Sequence, residues 1–310
     1  MSYPKIRKAN LNYYSSKGKA IYRDFLTFAK GKTLSLCNAL EFSRWFSGKN
    51  GEIIVCEYGV GDGDSAKVFL DHLKKINSEL YGRTKYFLVD FSSKMLNDAK
   101  AKLRHHLPRL QTVRMDVASE KPTIQFHYCR MNELLSDLPA IFFLKDKRGV
   151  FRVSQIENGW KIHLESEVPN FVVQFLERIE EGRVIPFNTA AAYFLGNLLE
   201  LAKDKSVIDI FDYGFYFAED IFLLDKSMWN STIARRYSSQ ITVDVNFPFL
   251  LSVAASRGCM GQIERQIEYA ERILGKKLKI VQTDKYLDYR QTDDCSISED
   301  DGFYHLRFEI

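Results

Sequence analysis

The stretch "IIVCEYGVGDGDSAKVFL", residues 53–70, decides the fold. A β-branched apolar run meets Glu57, glycines stand at 59, 61 and 63, and a helical pattern follows with Val68, Phe69, His72, Leu73 and Ile76 along one side. Strand, glycine turn and helix together let a ligand reach bare backbone at the carboxyl end of a sheet. The alternation continues downstream. "TKYFLVDFS" reads as a second strand and "SKMLNDAKAKLRHHL" as a helix that Ser92 or Ser93 can cap. "LQTVRMDVAS" is a third strand, and "TIQFHYCRMNELLSDLPA" a fourth that turns at Asn132 into a short helix ended by Pro139. This rhythm predicts an α/β fold, a mainly parallel sheet with helices on both faces.

Outward from this core, residues 20 to 47 carry helical apolar spacing broken at Gly31, which predicts two helices in an N-terminal lead-in over residues 1–50. The remaining 51–310 form the main domain. An insertion at about 145–205 begins as a hairpin, with turns at Gly149 and Asn158-Gly159. A helix follows in "NTAAAYFLGNLLELAKDK", a buried strand in "SVIDIFDYGF", helices at 247 to 257 and 262 to 274, and a closing strand at about 303–309. The acidic "TDDCSISEDDG" before that strand reads as a solvated loop or disorder.

The 310 residues carry 44 basic and 40 acidic side chains, a net charge of +4 that is too mild to indicate nucleic acid. Five cysteines stand apart, without C-x-x-C or histidine at ligand spacing, so no metal site is expected and the thiols read as reduced, in the cytoplasm. The basic N-terminus leaves an organellar matrix open as an alternative. No apolar run reaches membrane-spanning length.

The glycine turn does not fit a phosphate. Asp64 stands where G-x-G-x-x-G needs its third glycine, no Lys-Ser or Lys-Thr follows, and Glu57, Asp62 and Asp64 crowd acid where a pyrophosphate would sit. A nicotinamide cofactor is thereby disfavoured. A cationic, phosphate-free ligand suits the turn, and S-adenosylmethionine carries a sulfonium and an ammonium. Asp90, ending the second strand, can accept from ribose hydroxyls, and Asp116, ending the third, from an adenine amino group. Taken alone, an acid at a strand end is more often a helix cap or solvated; the succession of acids at the ends of consecutive strands is the stronger signal.

These residues resemble class I S-adenosylmethionine-dependent methyltransferases in "EYGVGDG" and "YFLVDFS", and "MNELLSDLP" at 131–139 is similar to the Asn-Glu-x-x-Asp-x-Leu-Pro segment of the MidA-like family. That family includes the mitochondrial complex I assembly factor that methylates an arginine on a partner subunit. "NYYSSKGKAIYRDFLT", "IFDYGF" and "QITVDVNFPFL" resemble further family segments in the same order, so the resemblance runs nearly end to end. It implies a Rossmann-like seven-stranded sheet, S-adenosylmethionine as cofactor with S-adenosylhomocysteine as product, and a protein acceptor, arginine first. Departures are Arg23 and Lys30 in the lead-in, Ser136 for aspartate, Gln240, Asp244 and Asn246 for acid, histidine and acid, and a short segment before Gln240.

The resemblance implies Glu133 as the group that orients the acceptor and takes its proton, with Asn132 positioning. A helix-capping pair is the alternative. Cofactor contacts fall on Glu57, Gly59, Gly61, Gly63, Asp90, Phe91, Asp116 and Val117, and substrate contacts on Asp212 and Tyr213. Asp24 and Thr27 are candidates for closing the lead-in over the cofactor, and Arg235, Arg236, Trp229 and Tyr237 for holding a partner. A homodimer is left open. The altered acceptor-side residues also keep two other functions open, a non-catalytic assembly factor and a small-molecule methyltransferase.

Overall fold

The structure, a computed structural model, describes residues 3–156, 159–164, 167–292 and 302–310. Its central sheet runs β1 (Ile53–Tyr58), β2 (Thr84–Asp90), β3 (Leu110–Arg114), β4 (Phe126–Asn132), β5 (Ala202–Phe215), β6 (Gly261–Arg265) and β7 (Phe303–Glu309). Their spatial order is 3-2-1-4-5-7-6. β1 to β5 pair in parallel, whereas β7 is antiparallel to both β5 and β6. The two-residue strand Val245–Asn246 adds to the end of β5. The approach is so close at Gly214 that a Cβ there would strike the Val245 backbone, which explains the glycine in "DYG".

Strand alternation sorts the core into two layers. Ile53, Val55, Tyr86, Leu88 and Tyr128 pack against α2 (Thr33–Phe46), α3 (Asp64–Ile76) and α4 (Ser93–Lys102). Cys56, Tyr58, Phe87, Val89, Cys129 and Met131 face the opposite layer, which contains α5 (Thr189–Leu201) and α6 (Phe247–Ala255). Of the two expected caps of α4, Ser92 does the capping, its hydroxyl accepting from the Met95 amide at 3.3 Å.

Three local expectations need correction. The lead-in begins with α1 (Tyr3–Lys17), and residues 18–23 and 28–30 are 3₁₀ turns, so helix returns only at α2. Residues 261–265 are the edge strand β6, and only Gln266–Leu274, here α7, is helix. The inserted segment is a four-stranded antiparallel sheet built from Ile141–Asp146, Gly149–Ile156, Gly159–His163 and Val184–Phe187. Asn158, and residues 293–301 of the acidic segment, lie outside the described residues. No helix among the described residues is long and apolar enough to cross a membrane.

Candidate active site

A cavity of about 480 Å³ opens where the parallel strands end. Gly59 and Gly61 follow β1, Asp90 and Phe91 end β2, Met115 to Ala118 follow β3, Asn132 and Glu133 end β4, and Tyr213 lies near the end of β5. The lead-in supplies another wall through Arg7, Asn10, Tyr14, Tyr22, Phe25 and Thr27. An antiparallel hairpin, Ala234–Tyr237 with Gln240–Val243, supplies the last through Arg235, Tyr237, Gln240 and Thr242, with Asp244 just beyond it.

Tyr22 lies over the glycine turn, where Gly61 takes a left-handed φ of +56° that favours glycine and a Cβ would meet the Tyr22 hydroxyl. Asp90 is held by backbone donors: its Oδ2 accepts from Gly61 N at 3.2 Å and its Oδ1 from Ser92 N at 2.9 Å. Burial raises its carboxyl to about 6. Asp116 also lines the cavity, but Arg7 engages its Oδ2 with Nε at 3.0 Å and Nη2 at 2.7 Å, while its Oδ1 accepts from Ala118 N. Phe91 and Val117 complete the apolar walls.

Glu57 and Gly63 are not among the cavity-lining residues. Position 57 shares a strand face with Val55, so Glu57 points into the layer beneath α2 and α3. There it accepts from the Tyr86 hydroxyl at 2.5 Å and lies 3.9 Å from Arg130. Gly63 caps the start of α3 and faces Ala99. The acidity assigned to the turn is also compensated: Asp62 and Asp64 both bind Lys30 and Lys102. Lys30, a departure from the family pattern, therefore neutralises the turn, and the charge argument against phosphate loses weight while the glycine spacing stands.

Glu133 has φ of +49°, a left-handed conformation that costs a non-glycine residue about 1–3 kcal/mol. Its amide donates to Phe211 O at 2.7 Å, and its Oε1 accepts from Thr27 Oγ1 at 2.8 Å and Phe28 N at 2.9 Å. Burial outweighs these bonds and raises its carboxyl to about 8. Neither Asn132 nor Glu133 caps the short 3₁₀ turn Leu135–Asp137. Asp212 does so from β5, its Oδ2 accepting from Leu135 N at 2.7 Å and Ser136 N at 3.1 Å. Fully buried and absent from the cavity lining, Asp212 serves the backbone, whereas its neighbour Tyr213 lines the cavity.

Sequence reasoning missed Asp137, which lines the cavity and accepts from Tyr14 Oη and from Gln240 Nε2 at 2.7 Å. The family pattern drew attention to position 136, one residue early. Arg235 lies over the Tyr213 ring and pairs with Asp244. Thr27 lines the cavity, but Asp24 binds Tyr13 and Lys17 and does not. Trp229 is buried away from it, and Arg236 is exposed.

A 3-2-1-4-5-7-6 sheet with its cavity at the carboxyl ends of five parallel strands defines an α/β enzyme of the class I methyltransferase type. A family model described as "Putative S-adenosyl-L-methionine-dependent methyltransferase" matches residues 39–259, and the chain belongs to that family. This agrees with the MidA-like resemblance. The protein is thus an S-adenosylmethionine-dependent methyltransferase. A Burkholderia thailandensis protein crystallised with S-adenosyl-homocysteine shares its fold at a TM-score of 0.66 and 16% identity, over 92% of this chain and 79% of that one. A native structure of the same superfamily from that organism gives 0.65 and 14%, over 99% and 92%. The comparison with curated proteins finds no match.

Proposed function

We propose that this methyltransferase acts on a nitrogen of a protein side chain, an arginine guanidinium first, and that Glu133 is the catalytic residue. The observation that carries the reading is Glu133 itself: a carboxyl in strained backbone, fixed through one oxygen, raised to about 8, and facing a cavity at the sheet's carboxyl edge. Such strain persists where the surroundings impose it, and it concentrates at reacting sites.

The lining fits the cofactor. Asp90 offers acceptors for ribose hydroxyls, Gly59 and Gly61 open the backbone, and Phe91 and Val117 supply apolar contacts for an adenine ring. Asp116 holds Arg7 and so contributes to that pocket through the pair. The cofactor supplies an electrophilic methyl group on a sulfonium.

The protein's own residues deal with the acceptor. A guanidinium arrives protonated, because its intrinsic pKa exceeds about 12, so its nitrogen becomes nucleophilic only as a proton leaves. Glu133 orients the cation and takes that proton as the new N–C bond forms, a contribution of about 10²–10⁴ in rate for a positioned base. Asn132 lines the cavity beside Glu133 and positions the acceptor there. The lead-in and hairpin exclude water around the displacement.

The test pairs two variants with isotope-labelled S-adenosylmethionine and arginine-containing proteins. Glu133→Gln should lose at least a hundredfold in turnover while binding the cofactor normally, and Asp90→Ala should weaken cofactor binding in calorimetry. Undiminished turnover in Glu133→Gln would remove Glu133 from the chemistry.

A further inference from the structure

Five carboxylates line the cavity, and the structure divides them by partner. Asp116 is matched by Arg7 and Asp244 by Arg235. Asp90, Glu133 and Asp137 have no basic partner among the described residues, and Asp90 is held by backbone amides on the cofactor side. That leaves two carboxyl groups without a counter-charge at the mouth of β4. An unpaired buried carboxylate is costly, so such a group is kept neutral or awaits a cation.

The polar atoms behind them are enclosed: Asn132 Oδ1 and Gln240 Oε1 belong to cavity-lining residues and have no hydrogen-bond partner among the described residues. Gln240 and Thr242 are each only 2% exposed. Gln240 Nε2 donates to the Tyr14 hydroxyl and to Asp137, at 2.7 Å each, and Tyr14 donates to Asp137 in turn. The acceptors of the subsite are therefore the Glu133 and Asp137 carboxyl groups. Its natural complement is a cation that only donates, and a guanidinium brings five N–H donors in a planar fork where an ammonium brings three about a point charge.

We infer that Asp137, held by Tyr14 and Gln240, is a specificity-determining residue that pairs with Glu133 to select a guanidinium over an ammonium acceptor. The inference rests on the arginine reading above and names the residue that enforces it. It also accounts for two departures from the family pattern together. The acid missing at 136 is present one residue later, and the acid missing at 240 is a glutamine that donates to it, where a second carboxylate would repel. Glu133 removes the proton from the guanidinium, and Asp137 stays the fixed counter-charge, so no further reactant is needed.

The test is calorimetry on the protein loaded with S-adenosylhomocysteine, using matched short peptides with a single arginine or a single lysine. The wild type should bind the arginine peptide at least tenfold more tightly. Asp137→Asn, in which the Gln240 amide can flip to restore its hydrogen bond, should lose that preference while its affinity for S-adenosylhomocysteine stays as in the wild type and its melting temperature is no lower. Asp137→Glu, which keeps the charge, should recover part of it. Equal binding of the two peptides, no arginine binding, or an unchanged preference in Asp137→Asn would overturn the inference. Because nothing turns over in this measurement, the inference can fail while Glu133-dependent methylation stands, and the reverse.

Discussion

Thr27 shows how a single residue sets the chemistry. Its hydroxyl both caps the 28–30 turn and donates to Glu133 Oε1, so Thr27→Val removes one of the two donors that favour the carboxylate. Rates that need ionised Glu133 should rise with pH through a midpoint near 8 in the wild type, and the valine variant should shift that midpoint upward. An unshifted profile would detach the hydroxyl from catalysis. The stability sign is opposite. A carboxyl raised from 4.5 to about 8 by folding holds its proton more tightly in the native state, so stability falls as pH climbs through that window. Glu133→Gln should therefore melt higher than the wild type at pH 8 and near it at pH 4. The "NE" of 131–139 made Glu133 legible, but its tie to Thr27 spans 106 residues and leaves no local signal. Glu57 was misplaced for a simpler reason: counting by twos from Val55 puts it beneath the helices rather than in the cavity.

Among elements, α1 does most to complete the site and was the hardest to see. Its inward face carries Arg7, Asn10 and Tyr14, polar residues that serve the cavity rather than the core, so apolar periodicity is weak there. Asn10 ties it down, donating to Asp137 O and Ile241 O at 2.7 Å and accepting from Ile241 N at 2.8 Å. Asn10→Ala strands those buried backbone groups and should cost about 2–4 kcal/mol, read as a lower melting temperature and earlier proteolytic cleavage before residue 30. Full stability and protection would mean that α1 is held by other contacts. β6 was hidden by continuity: "GQIER" runs straight into α7 with no turn residue, and its strand character comes from pairing Gln262 with Arg307 and Glu264 with His305.

Across the whole molecule, the alternation from β1 to β5 was readable because each strand is an apolar run closed by a turn, and parallel connections leave few topologies. The order of β6 and β7 was not, since it depends on a buried charge cluster assembled from distant segments. Arg307 binds Asp209 through Nε and Nη2 at 2.7 Å and also reaches Glu41, while His305 lies between Asp209 at 2.8 Å and Glu264 at 3.1 Å. Arg307 and His305 hold the Asp209 carboxyl far below its usual range despite burial, and the two acids raise His305. Asp209→Asn removes the buried carboxylate that Arg307 and His305 share, leaving Glu41 as the remaining acid on Arg307, and should cost about 3–5 kcal/mol. The His305 contribution is fully present below its unfolded value and is lost as pH rises through its raised folded value, so the asparagine variant should flatten that alkaline decline. A variant as stable as the wild type, with the same pH dependence, would contradict a structural role for the cluster.

If Glu133 drives methyl transfer onto an arginine side chain, the transferred carbon must end in methylarginine. Wild type and Glu133→Gln are incubated with methyl-labelled S-adenosylmethionine and a protein extract, and the proteins are then hydrolysed to amino acids. Label should appear in methylarginine with the wild type and at least a hundredfold less with the variant. Label in another amino acid or only in small molecules, or equal labelling by both proteins, would contradict it.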